Sequence, residues 1–225
     1  MSSSSHSEQR FSKYEGLGND FILINNLNSD TPLFTPEQSI KLCDRNFGIG
    51  ADGVIFAMPG TEGCEYTMRI YNSDGSEPQM CGNGIRCMAR FLTEIEGRPG
   101  SEEVSYTIST GAGKIVPRVA AGGDSITVDM GMPILAAEKV PTTLAPTKDG
   151  AAISAPINAA GADFQVTCVS MGNPHAVIFV NSLDAMKPPF AEVGPVMEKH
   201  HAFPAKVNAE FVEVSTNQYS ISPLQ

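Results

Sequence analysis

Tyr71-Asn72-Ser73-Asp74-Gly75-Ser76-Glu77-Pro78-Gln79-Met80-Cys81-Gly82-Asn83-Gly84-Ile85-Arg86 is the stretch on which the reading of this chain turns. An alternating apolar segment, residues 66 to 72, predicts a strand that runs into this polar turn. Beyond Cys81, the residues Ile85, Met88, Ala89, Phe91, Leu92 and Ile95 recur at helical spacing and make a wide apolar face. Gly97 and Pro99 close that helix. Cys81 therefore stands at a helix start, where unpaired backbone N–H groups and the positive end of the helix dipole favour a thiolate. Gly82 and Gly84 have no side chains, so a ligand can approach the backbone, and the same N–H groups suit a carboxylate or phosphate. The plain alternative is a buried structural cysteine in a glycine-rich turn, the commoner fate of a free thiol.

Upstream, residues 11–14 and the fully apolar 21–24 predict strands around a tight turn that carries Asn19 and Asp20. Thr35, Pro36 and Gln38 make a capping box with proline at the first helical position, so a helix is expected to about residue 44. The glycine-rich run 46–53 lacks the Lys and Ser/Thr of a phosphate-binding loop and opens no helix. Strands are expected at 54–57, 104–109, 114–119 and 125–130. Strands around one buried helix define an α+β domain over 11–130. Residues 131–133 mark a boundary, followed by a Pro/Ala/Thr-rich stretch to about residue 162. Strands are then expected at 164–170, 176–180 and 208–214, with a short helix in 190–201. Residues 131–225 thus read as a second, partial domain without a long central helix. Its sheet should leave an apolar face uncovered, with Val166, Val177, Ile178, Phe179 and Phe211 as the candidates.

The 225 residues are 41% hydrophobic, enough to bury a sizeable core. The formal net charge of −10, with no Lys/Arg cluster, argues against nucleic-acid binding. No run of about 18 apolar residues occurs, so no transmembrane helix is expected. Five cysteines without a CxxC pair or a His-spaced zinc pattern argue against a disulfide framework and for a reducing compartment. The Ser-rich residues 1–10 have no apolar signal core and read as a disordered tail.

Three motifs share one grammar: Gly18-Asn19-Asp20, Tyr71-Asn72-Ser73 and Gly172-Asn173-Pro174 each set an asparagine beside a turn at the end of an apolar segment. Asn208 adds a fourth, at a strand start. Singly, each is an ordinary turn residue. Together their amides can donate to and accept from an amino acid's carboxylate and ammonium. With GLGNDF (16–21), NFGIGADG (46–53), RIYNSDGSEPQMCGNGIRC (69–87), VDMG (128–131), MGNPHAV (171–177) and FPAKVNAEFVEV (203–214), the chain resembles the diaminopimelate epimerase family in order from residue 11 to residue 214. TGAGKIVP and TCVSMGNPHAV point to the plant and cyanobacterial branch.

The resemblance implies two similar domains, each a mixed sheet curled around a central helix, with an active site in the cleft between them. It implies inversion at one carbon of diaminopimelate, LL to meso, in lysine biosynthesis, with no cofactor and no metal. Two cysteines work from opposite faces, one removing the α-proton and the other delivering one. Cys81 corresponds to the first of the pair. Asn19, Asn72, Asn173 and Asn208 fall on substrate-binding positions, Gly82 and Asn83 on the carboxylate cradle, and His175 on a supporting catalytic position. The family often has Gln where Gly53 stands, so Gly53 is left out. The expected partner is the amino-acid substrate, with a homodimer as the candidate assembly and no nucleic acid or membrane. The expected compartment is the cytoplasm or the plastid stroma.

One departure follows from the same resemblance. After FVEV the family continues with an Arg-Val-x-Glu-Arg-Gly strand and a second Cys-Gly-x-Gly at the start of the second central helix. Here Ser215 to Gln225 contain neither, and Cys168 is expected within a strand. The expectation is an epimerase impaired by loss of the second cysteine. The competing readings are a non-catalytic ligand- or partner-binding protein and single-thiol chemistry at Cys81 such as acyl transfer, which lacks a recognisable Cys-His-Asp set.

Overall fold

Residues 9–98, 100–215 and 218–223 are described by the structure, a computed structural model. The predicted tail lies almost entirely outside them, as does Pro99. The chain divides into two units, Met1–Met130 and Gly131–Gln225.

The first unit begins with the antiparallel pair β1 (Ser12–Gly16) and β2 (Asn19–Asn25). Helix α1 (Pro36–Cys43) starts with the expected reciprocal cap: Gln38 N–H donates to Thr35 Oγ1 and Thr35 N–H to Gln38 Oε1. Strands β3 (Gly53–Pro59) and β4 (Tyr66–Asn72) precede the long helix α2 (Gly82–Ile95). Five short strands close the unit: β5 (Val104–Ser105), β6 (Ile108–Thr110), β7 (Gly113–Ile115), β8 (Pro117–Val119) and β9 (Ile126–Val128).

They form a mixed six-stranded sheet, β1-β2-β3-β4-β6-β7, and a three-stranded sheet, β5-β8-β9. The pairs β2–β3 and β4–β6 are parallel. Helix α2 packs against strands of both sheets, and its Ile85, Met88, Ala89, Phe91 and Leu92 are buried with Phe21, Leu23, Ile55, Ile70 and Tyr106. The other face of the large sheet carries Ile22, Ile24, Val54 and Phe56 beneath Phe34, Leu42 and Cys43 of the α1 region. A sheet covered on both faces needs strands that are apolar throughout, which is why residues 21–24 and 54–57 do not alternate.

The long strands expected at 104–109 and 114–119 are each broken in two. The halves join different sheets: β5 and β8 pair with each other, while β6 pairs with β4 and β7. Tyr106, between β5 and β6, is fully buried, and its N–H donates to Pro117 O at 3.1 Å. These crossings carry the chain from one sheet to the other around α2. Helix α2 ends in a Schellman arrangement: Arg98 N–H reaches Thr93 O and Gly97 N–H reaches Glu94 O, with Gly97 at φ 63°.

The second unit opens with a 3-10 turn, Ala137–Lys139, then β10 (Ala155–Ala159), β11 (Ala162–Ser170), β12 (Pro174–Val180), α3 (Phe190–Glu198), β13 (Asn208–Ser215) and β14 (Gln218–Pro223). The sheet order is β10-β11-β12-β13-β14, parallel only at β12–β13 and hence mixed. Cys168 lies within β11, as expected, and is fully buried.

The uncovered face expected of this sheet needs correction. Val166, Ile178 and Phe211 are buried, because residues 137–152, α3 and the segment after it cover their face with Val140, Ala152, Val193, Met197 and Phe203. Only the opposite face is open: Phe179 is 62% exposed, and Val177 is partly so. Two strands were not expected. In β10, Ala155, Ile157 and Ala159 are buried in alternation, and the β10–β11 turn places Ala160 and Gly161 both at positive φ. Strand β14 extends the sheet beyond β13.

Candidate active site

In the first unit the site is built at the N-terminus of α2. Cys81 is the N-cap residue, and its Sγ accepts the Gly84 N–H at 3.3 Å. A Cβ on Gly84 would lie 3.0 Å from Ile55 Cδ1 and 3.4 Å from that sulfur, so glycine makes room for the thiol. A Cβ on Gly82 would meet only Met130, at ordinary contact distance. Gly53 has its own structural reason: a Cβ there would fall 2.8 Å from Tyr71 O on the neighbouring strand.

Asn19, the first residue of β2, is brought to the cysteine. Its Oδ1 accepts from Cys81 Sγ at 3.9 Å and from Asn83 Nδ2 at 3.4 Å. Arg86, one turn into α2, donates to Asn83 Oδ1 at 2.5 Å and to Gly82 O at 3.2 Å. On its other side Asn19 Nδ2 donates to Asp52 Oδ2 at 2.7 Å. Asp52 also accepts from the Asp20 N–H at 3.0 Å and from Arg45 at 2.7 Å. Its backbone carbonyl accepts the Ser73 N–H at 2.9 Å. Asn72, at the end of β4, donates to Ser76 Oγ at 3.0 Å within its own turn. Asp52 and Arg86 were not singled out in the sequence. Asp52 sits inside the quoted NFGIGADG run, and Arg86 follows Cys81 by five, so both lie within the motifs that carry the resemblance.

The electrostatics differ from the sequence expectation at Cys81. Burial pushes the thiol above its ordinary range, and the Asp52 charge adds to this. The N–H groups of Gly84 and Asn83 and the Arg86 guanidinium pull the other way without prevailing. Desolvation of the charged form outweighs the helix terminus. Burial also pushes Cys43, Cys87 and Cys168 up, to about 11 in each case. Cys64 is partly exposed, as Cys81 is.

In the second unit the predicted residues gather at the N-terminal ends of the parallel strands β12 and β13. His175 pairs in register with Asn208, whose Nδ2 donates to Pro174 O at 3.1 Å. The His175 Nδ1 lies 2.6 Å from Glu210 Oε1, and its Nε2 lies 2.9 Å from Asn173 Oδ1. A carboxylate only accepts, so Nδ1 carries a proton toward Glu210. The remaining Glu210 oxygen is buried without a hydrogen-bond partner among the described residues. The first unit thus joins Asn19, Cys81 and Asn83 directly, with Gly82 beside them. The second joins Asn173, His175 and Asn208. Among the described residues no group of three or more His, Cys, Asp or Glu is placed to hold a metal ion.

The fold is shared with solved structures described as racemases and epimerases. A probable proline racemase from Agrobacterium radiobacter superposes with a TM-score of 0.66 at 11% identity, over 95% of this chain and 69% of that one. Within that class the chain belongs to the diaminopimelate epimerase family, whose profile matches residues 11–136 and 167–222. The diaminopimelate epimerase of Nostoc punctiforme is 54% identical over 209 residues, covering 93% of this chain and 73% of that protein. The chloroplastic diaminopimelate epimerase of rice, Oryza sativa subsp. japonica, is 53% identical over 215 residues. The chain spans 93% of its own length in that match and 59% of the rice protein's.

Proposed function

We propose that the protein acts on diaminopimelate by cofactor-independent proton transfer at an α-carbon, with Cys81 serving one face of that carbon. The observation that supports this best is the thiol at the head of α2, hydrogen-bonded to Asn19 beside the Gly82-Asn83 backbone. An α-proton beside a carboxylate is a very weak acid. Backbone N–H groups at a helix start stabilise the negative charge that develops as it leaves, by roughly a few kcal/mol per donor. A positioned sulfur acid or base contributes about 10²–10⁴-fold. Asn19, Asn72 and Asn83 are assigned to substrate in the first unit, and Asn173 and Asn208 in the second, with His175 as the supporting catalytic residue. This reaction belongs to lysine biosynthesis, and the proposed compartment is the cytoplasm or the plastid stroma. No helix among the described residues is long and apolar enough to cross a membrane.

The test is LL-diaminopimelate in heavy water. The protein should introduce deuterium at an α-carbon, and Cys81→Ala should lose at least about a hundredfold of that rate. Absence of exchange, or exchange that survives Cys81→Ala, overturns the reading. The second reading is a protein that binds the amino acid without turnover. It is favoured by the single Cys-Gly pair in these 225 residues, and predicts calorimetric binding without exchange.

A further inference from the structure

We propose that Asp52 is a positioning residue for Cys81: it locks the Asn19 side-chain amide so that its oxygen faces the sulfur, and so favours the thiol over the thiolate in the resting cysteine, leaving α-proton abstraction to the minor thiolate form. This rests on the reading of Cys81 as the reacting group and specifies the state in which it waits.

The argument is one of donors and acceptors. Asp52 Oδ2 is 2.7 Å from the Asn19 amide. A carboxylate only accepts, so the atom facing it must be the NH₂ group. A flipped amide would set two acceptors against each other with no proton between them. With Nδ2 committed to Asp52, Oδ1 turns toward Asn83 and Cys81. The second amide is fixed independently. Arg86 donates to Asn83 Oδ1, a guanidinium cannot accept, and Asn83 must therefore present its NH₂ to Asn19. The two locks agree on which Asn19 atom faces the sulfur. Against that oxygen a thiol donates and is satisfied, whereas a thiolate meets another acceptor. Hydrogen bonding to the neutral form disfavours the charged one.

Asp52 is itself held. Arg45 donates to its Oδ1, and Arg45 also bridges to Asp20, whose Oδ2 Lys13 pairs at 3.0 Å. The charged and titratable groups facing the thiol are thus Asp52 from the loop before β3 and Arg86 from α2, with Asp20, Arg45 and Lys13 behind Asp52. Cys87, about one turn and a half further along α2, is a further titratable neighbour.

The experiment titrates the Cys81 thiolate by its ultraviolet absorbance, taken as the difference between the protein and its Cys81→Ala variant, and follows iodoacetamide alkylation of Cys81 by mass spectrometry. Asp52→Asn keeps the shape and frees the Asn19 amide to turn its NH₂ to the sulfur. The midpoint should fall by about one pH unit. Alkylation below the midpoint should rise about threefold, tenfold more thiolate being partly offset by its lower nucleophilicity. Asn19→Ala should lower the midpoint too, and Asp52→Asn added to it should shift it by less than it does alone, only the direct effect of the Asp52 charge remaining. A folded Asp52→Asn protein with an unmoved midpoint, or two shifts that simply add, overturns the proposal and leaves Asp52 as a structural tie for the loop. If Asp52→Asn does not fold, an unmoved midpoint in Asn19→Ala overturns it equally. No diaminopimelate enters the measurement, so failure of the epimerase reading shows separately, in the exchange assay.

Discussion

Cys81 illustrates how two single-residue effects of opposite sign are decided by the site rather than by the motif. A helix terminus lowers a thiol's pKa and burial raises it, and here burial prevails. Accessibility still separates the five cysteines. Cys43, Cys87 and Cys168 are buried with thiols pushed up to about 11, so a thiol reagent at neutral pH should modify Cys64 and Cys81 in the folded protein and the other three only on unfolding. Peptide mapping that finds Cys43 or Cys168 modified as fast as Cys81 would contradict this placement. A second residue-scale consequence concerns Asp20. The hydrogen bonds from Arg45 hold its carboxyl well below the usual range; burial opposes them, and a hydrogen bond from Lys13 and the charges of both partners add to the lowering. A depressed folded pKa adds stability that is complete above the unfolded carboxylate value of about 3.9 and is lost as pH falls below it. Arg45→Met should therefore lower the melting temperature at neutral pH, and the gap to wild type should shrink below about pH 4. A gap that is unchanged in acid would mean Arg45 acts through packing alone.

At the scale of elements, α2 carries the first unit's core. Ile85, Met88 and Leu92 are fully buried between the two sheets, so Leu92→Ala should cost about 2–5 kcal/mol in denaturant unfolding, the range for a large-to-small core change. A cost below about 1 kcal/mol would mean that the site collapses around the cavity. This helix was legible in the sequence because its apolar period is strong, its start has a capping cysteine and its end has glycine. The capping box of α1 was legible for the same reason, since caps are local chemistry. What was not legible is what depends on distant residues. Nothing in residues 104–119 shows that a strand bends at Tyr106 to serve two sheets. Ala155, Ile157 and Ala159 alternate, but alanine is a weak strand former, so β10 was hidden in composition. The candidate residues themselves were legible as motifs. Their hydrogen-bond partners were not, because Asp52 and Asn19 stand 33 positions apart and meet only through the β2–β3 pairing. The same limit explains Val166 and Phe211, whose burial depends on α3 and on residues 137–152.

For the molecule as a whole, the open question is how many faces of a substrate carbon these 225 residues serve. Inversion needs a base on one face and an acid on the other. Cys81-Gly82 is the only Cys-Gly pair in the sequence, and Cys168, the cysteine of the second unit, is fully buried in a strand. On the proposed reading Cys81 exchanges a proton on its own face, and these 225 residues hold no second Cys-Gly motif for the opposite one. Loss of one positioned acid or base costs about 10²–10⁴-fold. The polypeptide of these 225 residues, assayed by itself, should accordingly incorporate α-deuterium into LL-diaminopimelate much faster than it forms the meso isomer. The two products are followed in one reaction, deuterium by mass spectrometry and configuration by chiral chromatography. The ratio of exchange to inversion should be about a hundred or more, and both should fall with Cys81→Ala. A ratio near one, with inversion abolished by Cys81→Ala, would show that a second acid–base group already faces Cys81 across the substrate. His175, with its Nδ1 proton directed at Glu210 and its Nε2 beside Asn173, would then be the residue to replace next.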